Sequence, residues 1–276
     1  MQTVQSALVQ AAERFISSDS PALDAQLLLA HVLDKNRSWL IAWPEHQLTR
    51  EQQRSFNALC TRRAQGEPVA YLLGRRAFWT FELEVCSAVL IPRPETELVV
   101  ELALRLGANL TGKVADLGTG SGAIALALAR ERPDWQVYAT ELSAEAQSVA
   151  AANFRNAGLG NLQLLAGSWC APLPGRDYVL IASNPPYIDK SDPHLQQGDV
   201  RFEPRGALVA ADQGMADLRQ IAVQAKQYLV STGWLVLEHG WKQGNAVRRL
   251  LVGLGYTEVA THHDYANNER VTVGRL

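Results

Sequence analysis

Between positions 4 and 15 the apolar residues recur at helical spacing (Val4, Ala7, Leu8, Ala11, Phe15), and Ser20-Pro21 then opens a second amphipathic run that continues through Leu33. A third run starts at Thr49, with Gln52 at the spacing of a capping box, and reaches about Ala64 before Gly66 stops it. Residues 1–75 therefore read as an all-helical domain. From Trp79 to Val85 the period falls to two (Trp79, Phe81, Leu83, Val85), which predicts a strand or hairpin within a linker spanning 76–92. A helix then enters at Pro94 and covers 95–106. Beyond it, strand patterns at 113–117, 136–140, 162–165, 178–183 and 234–238 alternate with helical ones, which predicts a mostly parallel sheet covered on both faces over residues 93–276. The tail offers strands at 256–261 and 270–273 with no room for a helix between them, so this last pair is expected to be antiparallel.

The chain has 276 residues, 47% of them apolar, enough to bury one large or two modest cores and too many for a disordered chain. Its formal net charge of -2 supplies no global field to recruit a polyanion, so nucleic acid is not the expected partner. Cys60, Cys86 and Cys170 are widely spaced and odd in number, neither a disulfide framework nor a metal cluster, which suits a reducing compartment. The first fifteen residues carry no signal-peptide pattern and no apolar run reaches bilayer length. The expected location is cytoplasmic, away from membranes.

Within the sheet pattern, the strand ending at Leu117 runs into Gly118-Thr119-Gly120-Ser121-Gly122 and then into an alanine-rich helix. Glycines there permit positive φ and close approach of a ligand to backbone, beside the unpaired N–H groups of a helix start. Glu141 follows the next strand, where a carboxylate can accept both hydroxyl protons of a ribose. This pair serves NAD and S-adenosylmethionine equally.

The choice rests on Asn184-Pro185-Pro186-Tyr187, which ends the strand expected to lie beside the glycine-turn strand where the order of a doubly wound sheet reverses. Two prolines contribute no N–H, so this stiff corner offers carbonyl oxygens and the Asn184 amide oxygen as acceptors for a planar NH2 group. Tyr187 is expected to pack on that group. Methyl transfer from a sulfonium is one in-line displacement, which positioning and desolvation can promote without a covalent intermediate.

These residues resemble the S-adenosylmethionine-dependent amino-group methyltransferases. Gly66-Glu67-Pro68-Val69-Ala70-Tyr71, Ile91-Pro92-Arg93-Pro94-Glu95-Thr96-Glu97, the Asn184 tetrapeptide with Ile188, Arg201-Phe202-Glu203-Pro204 and Asn268-Glu269-Arg270 narrow the likeness to the PrmC/HemK family over nearly the whole chain. The resemblance implies a helical substrate-recognition domain (1–75) before a Rossmann-like class I methyltransferase domain (93–276). It implies transfer of a methyl group to the side-chain nitrogen of the glutamine in the Gly-Gly-Gln motif of class 1 peptide chain release factors, leaving S-adenosylhomocysteine. In that likeness residues Gly118, Thr119, Gly120, Ser121 and Gly122 hold the methionine part of the cofactor, Glu141 the ribose, Trp169 the adenine and Asn184 the region of the methyl, while Asn184, Pro185, Pro186 and Tyr187 hold the glutamine. Two departures stand out: Ser168 replaces the Asp common before that tryptophan, and Glu141 replaces the more usual Asp.

Other signals stay secondary. Pro92-Arg93-Pro94-Glu95-Thr96-Glu97 reads first as a helix entrance, while the resemblance implies that the same loop approaches the site with Arg93 and Glu97 beside it. His194, the nearest candidate base, receives no role. His262-His263-Asp264 lacks a third ligand on one face, so no metal is predicted. Two competing functions are an adenine-N6 nucleic-acid methyltransferase, disfavoured by the charge, and a non-catalytic nucleotide-binding adaptor.

Overall fold

The computed structural model describes residues 2–276. The chain divides into two units, one formed by the residues up to Arg75 together with Pro193–Phe202, the other by Arg76–Asp192 and Glu203–Leu276.

The first unit holds α1 (Val4–Arg14), α2 (Pro21–Leu33), α3 (Arg37–Ala42), α4 (Arg50–Ala64) and α5 (Val69–Leu73). Its helix starts are written locally. Thr49 and Gln52 close the expected capping box, Thr3 and Ser6 close another, and the Asn36 side chain accepts from Trp39 N. The apolar stripes converge on Val4, Phe15, Leu28, Leu29, Leu40 and Phe56, all fully buried, each worth about 1.5–3 kcal/mol of transfer free energy. The short α3 and α5 were not expected, since five or six residues are too few to display a helical period.

A hairpin follows, β1 (Arg75–Phe78) and β2 (Phe81–Glu84). Trp79 sits in its turn at φ 55°, so the alternation that placed it in a strand was carried by a turn residue. Pro94–Thr96 forms a single 3-10 turn before α6 (Glu97–Leu106), so the α-helix starts two residues later than expected.

The remaining elements are β3 (Gly112–Leu117), α7 (Ala123–Glu131), β4 (Trp135–Glu141), α8 (Ala144–Ala157), β5 (Leu162–Ala166), β6 (Tyr178–Ser183), the short β7 (Ile188–Asp189) and β8 (Val209–Ala210), the one-turn α9 (Ala211–Gly214), α10 (Ala216–Tyr228), β9 (Leu229–Glu238), α11 (Gly244–Gly253), β10 (Thr257–His263) and β11 (Glu269–Arg275). Seven strands form one sheet in the order β10-β11-β9-β6-β3-β4-β5. β9, β6, β3, β4 and β5 pair in parallel, and β11 runs antiparallel to both its neighbours. Strand alternation feeds two cores. Val114, Val137, Leu180 and Val236 pack with α6 and α7, while Ala115, Leu117, Ile181 and Leu235 pack with α10 and α11. Both sheet faces are thus covered, as the near-continuous apolar strands require.

Register decides what the sheet presents at its edge. Leu117 of β3 pairs with Thr140 of β4 on one side and Ser183 of β6 on the other. The residues that follow, Gly118, Glu141 and Asn184, therefore emerge together at the carboxyl end, where the strand order reverses between β3 and β6.

Candidate active site

A cavity of about 670 Å³ opens at this carboxyl end. Gly118, Thr119, Gly120, Ser121, Glu141, Ser168, Trp169, Asn184, Pro185 and Pro186 all line it. The glycine turn is held from below by a residue without an expected role. Asp116 Oδ2 accepts from the Thr119 hydroxyl at 2.6 Å and from Ala125 N at 3.1 Å. Burial pushes the Asp116 carboxyl up to about 7, against those two hydrogen bonds.

Each glycine has its own reason. Gly118 has φ 69°, and a Cβ there would lie 2.9 Å from the Trp169 ring, so the indole closes directly over the backbone. At Gly120, φ is 57° and a Cβ would meet nothing within 4 Å, so the space it would enter belongs to the cavity. Gly122 is not among the lining residues. Its Cβ would strike the Phe154 ring at 2.4 Å, which makes it a helix-packing position.

Glu141 is already well engaged. Its Oε2 accepts from Gly120 N at 2.9 Å and its Oε1 from Leu142 N and Ser143 N at 2.8 and 2.9 Å. A carboxylate has roughly four acceptor directions, so three bonds fix its position and leave Oε2 able to receive one hydroxyl. Trp169 is held at φ 47° and its neighbour Cys170 is tied through its N–H to Gln224 of α10 at 3.2 Å. The same helix face brings Asp217 and Gln220 to the cavity wall beside Ser168. The open backbone at Gly120, the aromatic wall and the fixed carboxylate form a cradle that fits a nucleoside with a flexible tail.

At the other wall, Asn184 Nδ2 donates to Thr96 Oγ1 at 3.1 Å, which turns the amide oxygen away from Thr96. Pro185 and Pro186 also line the cavity. Tyr187 does not. Its ring packs on the second core and its phenol donates to Glu238 Oε1 at 3.2 Å, and burial with the nearby Glu238 carboxyl raises its pKa.

Thr96, Asp217 and Gln220 are cavity residues that sequence reasoning missed, although Thr96 stands inside a segment singled out there. Pro92 of the same segment also lines the cavity, whereas its charged members are engaged elsewhere: Arg93 pairs with the fully buried Glu203 at 2.6 Å, and Glu97 accepts from Trp79 N at 2.9 Å. His194 lies in a 3-10 turn of the first unit. Asp264 accepts from Ala266 N and Asn268 N and pairs with Arg270, a loop-shaping role. No group of three potential metal-ligating residues is found among the described residues, and none of their helices is long and apolar enough to cross a membrane.

The cradle predicts that Gly120→Ala lowers affinity for S-adenosylhomocysteine by roughly tenfold or more, through a methyl placed in the cavity and the cost of φ > 0 for a residue with a Cβ. Titration calorimetry checks this, with unchanged circular dichroism expected.

Comparison with known proteins extends the geometry. The PrmC N-terminal domain model matches residues 6–74 and the methyltransferase small domain model residues 96–200. A release factor glutamine methyltransferase of Vibrio cholerae is 50% identical over 99% of this chain and 96% of its own length. Its counterpart in Escherichia coli is 50% identical over 97% of each chain. Among solved structures, a methyltransferase from Pyrococcus furiosus superposes with a TM-score of 0.54 at 19% identity, covering 78% of this chain and 96% of its own. The hMettl16 catalytic domain in complex with an RNA hairpin reaches 0.57 at 14% identity, covering 78% and 80%. The structures share the fold, the sequences nearly their full length, and the chain belongs to the release factor glutamine methyltransferase family.

Proposed function

We propose that this protein methylates the side-chain nitrogen of the glutamine in the Gly-Gly-Gln motif of class 1 peptide chain release factors, with S-adenosylmethionine as donor. The observation that carries this reading is the single cavity shared by the glycine turn, Glu141 and Trp169 on one side and the Asn184-Pro-Pro corner on the other. When bound, the donor supplies a methyl group made electrophilic by its sulfonium.

The chain's own task is to make a poor nucleophile react. An amide nitrogen is weakly nucleophilic because its lone pair is delocalised into the carbonyl. Asn184 Oδ1 and the Pro185 carbonyl accept its two N–H groups, which aims the nitrogen and raises its electron density. The prolines stiffen that corner and offer no competing N–H. Held by the glycine turn, Glu141 and Trp169, the sulfonium donor would supply an electrophilic methyl carbon with a neutral thioether as leaving group, and the amide nitrogen's surplus proton would pass to bulk solvent after transfer. The cavity wall of Leu90, Pro92 and Ala207 keeps solvent from the reacting centre. Glu141 orients the ribose and Trp169 the adenine. The helical unit supplies recognition of the protein substrate, since a short loop motif offers little contact area by itself.

The test is transfer of a labelled methyl group to a release factor and to the same factor with its motif glutamine replaced. Label is expected on the first alone, and equal labelling of both would refute the assignment. A duplex DNA arm should remain unlabelled.

A further inference from the structure

A carboxamide has two ends of nearly the same shape, and only its oxygen can receive an incoming N–H. The reading of Asn184 as an acceptor therefore depends on something that sets which end faces the cavity. Asn184 Nδ2 is held by Thr96 Oγ1 at 3.1 Å, and Thr96 is only 4% exposed. A hydroxyl has one proton, so a threonine that accepts from Asn184 must place its own proton on another acceptor. The acceptor at hand is Glu238, which ends β9 one row beyond the Leu237–Ser183 pair and so beside Asn184, the residue that follows the neighbouring strand β6. Glu238 is 1% exposed, and its Oε1 receives the Tyr187 phenol at 3.2 Å. Its Oε2 is buried without a hydrogen-bond partner, and Thr96 is among the groups near enough to favour the Glu238 anion, so a small turn of the hydroxyl would satisfy both.

We infer that Glu238, acting through Thr96, is the positioning residue that turns the Asn184 oxygen toward the acceptor amide, and that through Tyr187 it anchors the other end of the same tetrapeptide. The inference rests on the proposed role of Asn184. An ionised carboxylate can only accept, so it forces the direction of the relay: Thr96 donates to Glu238, Asn184 donates to Thr96, and Asn184 Oδ1 is left for the substrate. A group at position 238 able to donate to Thr96 permits the reverse order, in which Thr96 donates to Asn184 Oδ1 and the amide NH2 faces the incoming NH2.

The charged and titratable surroundings are mixed. Burial pushes the Glu238 carboxyl up to about 7, while Thr96, Arg270 of β11 and Tyr187 favour its anion and Glu95 opposes it. Arg270 is shared with Asp264 at 3.2 Å, and Arg93 acts on Tyr187. Because the working direction needs the anion, the rate is expected to fall as pH drops through about 7.

The experiment compares Glu238→Gln, Thr96→Val and Thr96→Ser with the unaltered chain. Glu238→Gln and Thr96→Val are expected to lower kcat about tenfold or more with S-adenosylhomocysteine affinity held within about threefold, and Thr96→Ser to recover most of the rate that Thr96→Val loses. The acid limb near pH 7 should shrink in Glu238→Gln, what remains belonging to the Asp116 carboxyl beneath the glycine turn, which burial also pushes up to about 7. A second measurement needs no methyl acceptor: hydrogen exchange of the Asn184 side-chain amide in the 15N-labelled protein, slow in the unaltered chain and Thr96→Ser and about tenfold faster in the other two. Unchanged exchange across all variants overturns the inference, as does a kcat that does not move. Failure of the proposed function is distinct, since it shows as an unlabelled release factor with the exchange pattern intact.

Discussion

Asn184→Ala is expected to lower the methyl-transfer kcat by about 10²–10³-fold while leaving affinity for S-adenosylhomocysteine within about threefold. Both halves follow from where Asn184 stands. It follows Ser183 at the end of β6, beside the glycine turn after β3, so it faces the cavity from the wall opposite Glu141 and Trp169. Truncation removes the acceptor that aims the amide nitrogen, and a misplacement of about 1 Å in such a step costs about a hundredfold. It also deprives Thr96 of its donor within a buried network. The cofactor contacts of the glycine turn and Glu141 are untouched, because Glu141 is fixed by the N–H groups of Gly120, Leu142 and Ser143. Single-turnover rates with a release factor, paired with a binding titration, separate the two effects. A rate loss below tenfold, or an equal loss of cofactor affinity, would remove Asn184 from the proposed role.

How much of this site could be read from sequence depends on how local its cause is. The strand ending at Leu117, the glycine turn and α7 follow each other directly, so apolar runs and φ requirements announce them. Glu141 was found because a strand end and a carboxylate adjoin. The capping box at Thr49 and Gln52 is likewise written within four residues. Thr96 shows the limit. It meets Asn184 across 88 positions, through a 3-10 turn whose Pro94 signals only that a helix begins. Glu238 reads as the end of an apolar strand, and its partnership with Tyr187 exists only because β9 lies beside β6. Asp116 is hidden in the same way, as one polar residue inside a buried strand whose task is to hold Thr119 and the start of α7. Tyr187 was read for its ring, whereas its burial follows from the phenol's buried acceptor.

The largest effect on folding is expected from Arg63. It sits in α4, an exposed-looking helix by composition, with a side chain only 7% exposed. Its Nε donates to Asp24 Oδ2 at 2.7 Å, and its Nη1 reaches Asp199 Oδ1 and the Glu67 carbonyl, each at 3.0 Å. Asp24, 8% exposed, also receives the Ser18 and Ser20 hydroxyls, at 2.7 and 3.4 Å. Removing the guanidinium therefore strands a buried carboxylate and a backbone carbonyl, and Arg63→Met should cost about 3–5 kcal/mol of the helical unit's stability. Removing both charges costs much less. A pair in the interior gains Coulomb energy but loses hydration, so Arg63→Met combined with Asp24→Leu should recover most of the loss, the residue being the orphaned Glu67 carbonyl and Asp199. Hydrogen exchange of the α2 and α4 amides in the full chain reads the helical unit separately from the sheet, and urea titration supplies the free energy. A single-variant loss below about 1 kcal/mol, or a double variant as unstable as the single, would show that Asp24 is hydrated rather than dependent on Arg63.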